Sequence, residues 1–262
     1  MILVLAVNAL VLVTLFVGAW LICLKLGDVT PVDSLWAIGM VVMAATSFLH
    51  AQGDPTRKVL LLGLCSVWGL RLGGYLLWRW RDRGSDRRYQ AMLARVYESR
   101  RWSFAKASLI LVFVTQAPLL FIVCMPVQLG QIDAVPPVGA LGFAGAVVAT
   151  IGIAFEAVGD MQLTAFRKNP ANARLVMDRG LWRYTRHPNY FGDACTWWGL
   201  YLIAAETPTG IWALPGPVLL TWTLMKWSGV PTTEGRMKRK KPGYEDYVRR
   251  TSAFVPWWPK ST

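Results

Sequence analysis

Runs of about twenty apolar residues dominate this chain, and each is long enough to cross the hydrocarbon core of a bilayer as a helix. Seven such blocks read at roughly 2–25, 32–50, 59–80, 107–128, 137–159, 189–206 and 209–228. The expected fold is therefore all-α, a polytopic membrane protein with seven transmembrane helices. Only 16% of the residues are charged, fewer than a soluble protein of this length carries. The first charge is Lys25, well inside the sequence. A signal peptide opens on a basic region and has a shorter apolar core, so the first block reads as a retained helix.

Charge sets the expected topology. Residues 79–106, 160–188 and 230–262 hold 23 of the 28 Lys and Arg. The connections at 129–136 and 207–208 hold none. Basic loops stay on the cytoplasmic side, which places the N-terminus outside and the C-terminus in the cytoplasm. Arg57 and Lys58 then fall on the outer side, against the rule. Pro208 and Gly210 mark the turn between blocks 6 and 7, and "AVPPVGA" marks the turn before block 5. Gly73-Gly74, inside block 3, reads as a site of close helix packing.

Some functions are excluded early. The net charge of +13 does not point to nucleic acid, because no soluble domain or aromatic-basic sheet pattern accompanies it. Cys23, Cys65, Cys124 and Cys195 lie far apart in or beside apolar blocks and lack C-x-x-C spacing, so they read as core-filling thiols, with no metal site expected. A Rossmann cofactor domain would need G-x-G-x-x-G between a strand and a helix, and none is present. Inverted repeats, the mark of a transporter, are also missing.

Two stretches carry chemistry. In "FEAVGDMQLTAFRKNP", Glu156 and Asp160 are one turn apart, and Arg167 follows Asp160 by two turns, so all three can share a helix face. Glu156 sits near the inner end of block 5, where an ionisable group is costly and faces a bundle interior or a wet cavity. In "NARLVMDRGLWRYTRHPNYFGD", Asp178-Arg179-Gly180 reads as a turn. Leu181, Trp182 and Tyr184 offer flat faces. Arg186, His187 and Pro188 lead into a helix opening near Asn189. Helix N-termini favour anions, and arginines bind phosphate bidentately. The inventory suits a phosphorylated nucleotide, or equally an interfacial basic loop anchored by Trp and Tyr.

"LWRYTRHPNYFGD" followed by an apolar helix, and then "TTEGRMKRKKPGYEDYVRRTSAFVPW", resembles the steroid 5-alpha-reductase family and its bacterial relatives, over about residues 155–257. The resemblance implies one transmembrane domain over 1–262, with substrate-side helices in 1–128 and the cofactor-binding helices, cytoplasmic loops and tail in 137–262. It implies NADPH in a cytoplasm-facing cavity, a steroid or related lipid enone as substrate, and residence in a bacterial inner membrane among membrane lipids, with no obligate protein partner. The cofactor set it implies is Glu156, Asp160, Arg167, Lys168, Arg174, Arg179, Tyr184, Arg186, His187, Asn189, Asp193, Glu234 and Tyr247. Glu156 stands where the family often has Asn, and Glu234 where steroid reductases have His.

The substrate set is Asp33, Tyr75 and Trp68. Steroid reductases hold the ketone with a Glu and a Tyr; here Asp33 takes the place of the Glu, Trp68 falls at the Tyr position, and Tyr75 is the nearest phenol. Without the resemblance, Asp33 reads as a helix N-cap and Arg71 as half of a buried ion pair. His50 and Gln52 lie at the far end of block 2. R-H-P-x-Y-x-G also occurs in isoprenylcysteine carboxyl methyltransferases, which use S-adenosylmethionine. Phosphate demand favours NADPH, since Arg167, Lys168, Arg174, Arg179 and Arg186 exceed what S-adenosylmethionine needs.

Overall fold

The computed structural model describes residues 1–227 and 229–260. Among them the chain is helical, with no strand. The helices are α1 (Ile2–Leu26), α2 (Val32–His50), α3 (Pro55–Arg83), α4 (Arg87–Arg100), α5 (Phe104–Ser108), α6 (Val114–Val123), α7 (Met125–Leu129), α8 (Ala140–Lys168), α9 (Pro188–Ala204), α10 (Pro215–Trp222), α11 (Val230–Lys240) and α12 (Tyr244–Arg250). Five helical segments are long and apolar enough to cross a membrane: α1, α2, α3, the continuous run Phe104–Val123, and α8. The sixth apolar block forms α9, with 17 residues. The seventh breaks into a 3-10 turn (Gly210–Ala213), α10 and a π-turn (Thr223–Trp227).

Local chemistry explains the ends. Asp54 caps α3 by accepting from Arg57 N at 2.8 Å, with Pro55 in the first turn, the favoured pairing at a helix start. Gly27 closes α1 in the left-handed conformation, φ 64°, which costs glycine nothing. Helix α2 behaves otherwise than expected. Its N-cap is Pro31, and the Asp33 side chain caps nothing; it accepts from Tyr89 Oη at 2.6 Å instead.

Helices α8 and α9 pack against each other more extensively than any other pair, because small residues face each other along the seam. A Cβ on Gly152 would sit 2.6 Å from the Gly192 carbonyl oxygen, and one on Gly192 2.5 Å from Glu156 N. Only glycine permits that approach. The close seam brings Glu156 and Asp160 of α8 beside Asn189 and Asp193 of α9. On α3 the packing glycines are Gly69, against Val41 and Ala37 of α2, and Gly73, against Ile38 and Ser34, whereas Gly74 faces open space.

Cys23, Cys65 and Cys124 are buried and Cys195 half-buried, all as free thiols. The tail folds back over the motif before α9. Thr185 and Ser252 form an isolated parallel bridge, Arg186 N donates to Ser252 O at 2.9 Å, and Trp257 N donates to Tyr184 O at 3.0 Å.

Candidate functional site

A cavity of about 410 Å³ opens between α3 and α8, lined by Arg71, Tyr75 and Trp78 on one side and Asp160, Thr164 and Lys168 on the other. Arg71 and Asp160 bring charge to its wall. The Arg71 guanidinium lies 2.7 Å from Glu156 Oε2 and 3.0 Å from Asp160 Oδ2. Glu156 also accepts from Trp68 Nε1 at 3.0 Å. Asp160 receives a long hydrogen bond, 3.4 Å, from Asn189 Nδ2. The i, i+4 spacing on α8 thus presents both acids to one arginine of α3. Asp193, one turn after Asn189, turns toward the same group, where Arg71, Asp160 and Trp68 act on it. Its buried Oδ1 has no hydrogen-bond partner.

Lys168 adds a second cation to the lining, and further cations lie close by in the chain. Arg167 lies on α8 with Arg79, Arg83 and Arg236 within electrostatic reach. Among the described residues Arg167, Lys168, Arg174 and Arg179 form no ion pair, and all four are exposed. Exposed, unpaired cations are available to an anion.

The remaining residues of the motif hold it in shape. Arg186 is buried, and its Nε donates to Glu234 Oε1 at 2.7 Å while Nη1 donates to the carbonyls of Val248 and Thr251. That guanidinium is engaged with protein groups, unlike the exposed arginines. His187 stacks flat on Tyr190, 5.2 Å between centroids, and its Nε2 lies 3.2 Å from Glu234 Oε1. Burial alone would raise the Glu234 carboxyl, but the hydrogen bonds and charges of His187 and Arg186 outweigh it and hold the group down to about 2. Tyr247 donates to Trp182 O, and burial pushes its phenol well above the usual range. Tyr184 meets the Trp258 ring edge-to-face.

The substrate set divides. Tyr75 lines the cavity, with Oη 3.1 Å from Thr164 Oγ1. Trp68 is buried beneath it against Glu156 and meets Trp197 edge-to-face at 5.2 Å. Asp33 does not line the cavity. It belongs to a network with Tyr89, Arg88 at 3.3 Å and, more loosely, Arg79 at 3.9 Å. His50 is exposed at the far end of α2 and bonds its own helix, Nδ1 2.9 Å from Thr46 O. Sequence reasoning missed Tyr89, Thr164 and Trp197. Thr164 had a signal, since it follows Asp160 by one turn on the same face.

Residues 19–251 match the model of a family described as "Protein of unknown function (DUF1295)". That span covers most of the chain, which belongs to this family. No curated protein and no solved structure matches it.

Proposed function

We propose that this DUF1295 member is an NADPH-dependent reductase of the conjugated carbon–carbon double bond of a lipid ketone, with a 3-oxo-Δ4-steroid as the first candidate substrate. Seven spans, with the N-terminus outside and the basic end in the cytoplasm of a bacterial inner membrane, complete the reading. The resemblance to steroid 5-alpha-reductases supports it, and one observation carries it: a cavity whose lining brings Arg71, Asp160, Tyr75 and the unpaired Lys168 together, next in the chain to the unpaired Arg167.

The residues present suit a phosphorylated nucleotide. Arg167, Lys168, Arg174 and Arg179 would hold phosphates through charge-assisted hydrogen bonds. Asp160, Asn189 and Asp193 would accept from or donate to the polar groups of the deeper portion. Arg186, His187, Glu234, Tyr184 and Tyr247 would keep the motif and tail in the shape that encloses it. When bound, NADPH supplies a hydride to the β-carbon of the enone.

Tyr75, which lines the cavity, would donate to the ketone oxygen as negative charge moves onto it, the role of an oxyanion donor. Trp78 would provide an apolar wall for a ring system. Asp33 would act at one remove, ordering Tyr89 and Arg79. Its replacement by Asn should then lower turnover far less than Tyr75→Phe, which should lower it by about 10²-fold or more, the scale of a lost proton donor.

Titration of the purified protein with NADPH, NADH and S-adenosylmethionine tests the reading. Tightest binding by NADPH is expected. Tightest binding by S-adenosylmethionine would sink the reductase and favour a membrane methyltransferase, which the shared R-H-P-x-Y-x-G string allows.

A further inference from the structure

A second group of cations takes no part in the cavity. Residues 87–106 hold six, Arg87, Arg88, Arg95, Arg100, Arg101 and Lys106, against one acid, Glu98. Arg88 is paired with Asp86 at 2.9 Å and with Asp33 at 3.3 Å. Among the described residues the other five form no ion pair. All five are exposed, and none lines the cavity.

Local structure sets the level at which they lie. Asp28 accepts from Trp80 Nε1 at 2.8 Å and from Ser85 Oγ at 2.7 Å, which ties the connection after α1 to the end of α3. Trp20 Nε1 donates to Ser108 Oγ at 3.2 Å, which sets the start of the Phe104–Val123 run beside that end of α1. Helix α4 therefore bridges two apolar helices on one side of the bundle. It is amphipathic: Tyr89, Met92 and Leu93 pack against the core, while Arg87, Arg95 and Arg100 are exposed. A helix of that kind lies in the plane of a bilayer surface, at headgroup level.

Trp102 stands between α4 and the apolar run. The Arg100 guanidinium lies 5.4 Å from its ring centroid, and Lys106 Nζ 4.7 Å. Tryptophan at the border of a spanning helix favours the headgroup layer, and this one carries two cations. Arg101 ends α4 at φ 54°, the one non-glycine residue with positive φ among those described. Glycine takes that conformation at less cost. An arginine held there against local preference points to a use for its side chain.

We propose that Arg100, Arg101 and Lys106, with Trp102 among them, bind the phosphate of an anionic phospholipid headgroup. This rests on Phe104–Val123 crossing a membrane and not on any nucleotide. The cations supply charge-assisted hydrogen bonds to the phosphate oxygens. Exposed charges are screened by salt, so a free soluble anion would be held weakly. A lipid adds the contact of its chains with the apolar run.

Native mass spectrometry of the full-length protein, released from mixed micelles of a neutral detergent with dioleoyl phosphatidylglycerol or dioleoyl phosphatidylcholine, tests this. At equal lipid, more phosphatidylglycerol should stay bound. Arg100→Gln, Arg101→Gly and Lys106→Gln should each weaken phosphatidylglycerol about fivefold, the effect of one cation near an anionic surface, and leave phosphatidylcholine unchanged. Lys238→Gln combined with Arg239→Gln removes two exposed cations from α11 and should change neither. Thermal unfolding in lipid-free detergent reads folding separately, and Arg101→Gly should melt no lower than the wild type because it relieves the left-handed position. Equal retention of the two lipids by the wild type, or an equal loss in the α11 variant, would overturn the proposal. So would displacement of phosphatidylglycerol by inorganic phosphate beyond that caused by sodium chloride of the same ionic strength, which would make the group a site for a soluble anion.

Discussion

Helix α3 holds two arginines in contact with acids, about four turns apart, one buried and one half-buried, and they are held in opposite ways. Arg57 is fully buried and meets one acid, Glu206, at 3.3 Å. It also donates to the carbonyls of Ile203 and Pro136, at 3.1 Å and 2.9 Å. Glu206 in turn accepts from Gly139 N and Gly142 N. One charge answers one charge, and the pair ties together the ends of α3, α8 and α9 away from the cavity. Arg71 meets two acids, and it borders open space. An ion pair alone therefore does not distinguish a clasp from a binding site. The balance of charge and the presence of room beside it do.

Removing Arg57 is the most severe test of this contrast. Arg57→Met should destabilise the protein by about 3–5 kcal/mol, the cost of orphaning a buried partner. It should leave NADPH affinity near wild type. Denaturant unfolding in detergent and nucleotide titration measure the two effects, and an affinity loss at unchanged stability would break the comparison. Gly152→Ala comes next. It should cost about 1–3 kcal/mol by forcing α8 from α9, and it should also weaken NADPH, because the seam sets where Asn189 and Asp193 stand.

Asp160→Asn reverses the pattern. Taking one of its two acids from Arg71 should barely change stability, whereas loss of its hydrogen bonds should weaken NADPH about 10- to 150-fold, equivalent to roughly 1.5–3 kcal/mol. A large stability loss would make this cluster a second clasp. The smallest effect concerns the tail. Glu234 is held at about 2, below its usual 4.5, so the stability it contributes is complete above the usual value and drains away as pH falls from there toward 2. Tail protection from protease should fall over that acid window, and Glu234→Gln should be weaker at neutral pH and no longer sensitive to acid.

The sequence made some of this legible. Apolar runs gave the long helices, and the spacing of Glu156 and Asp160 gave a shared face that the structure shows meeting Arg71. The ion pair of Arg71 was readable as a type, though its partners, 85 and 89 residues away, were not. Arg57 looked like a breach of the charge rule because its partner lies 149 residues on. Arg186 looked like a free phosphate ligand for the same reason, since Glu234 is 48 residues distant. Short-range patterns expose helix faces but not which face meets which. The π-turns at Leu109–Phe113 and Thr223–Trp227 leave no mark in composition, and so the last apolar block read as a longer helix than it is.

The fold-back of the tail also has a consequence in time. Residues 184–186 are bonded to residues 252–257, and Arg186 and His187 both lean on Glu234. A growing chain emerges from the ribosome with α1 through α9 already made while these partners are still unsynthesised. The helices can enter the bilayer in that interval, but the motif that precedes α9 has nothing to close it. Insertion and closure of the motif are therefore separate events, and a nascent chain halted before Glu234 would hold the lining of the cavity while residues 184–187 still lacked their partners.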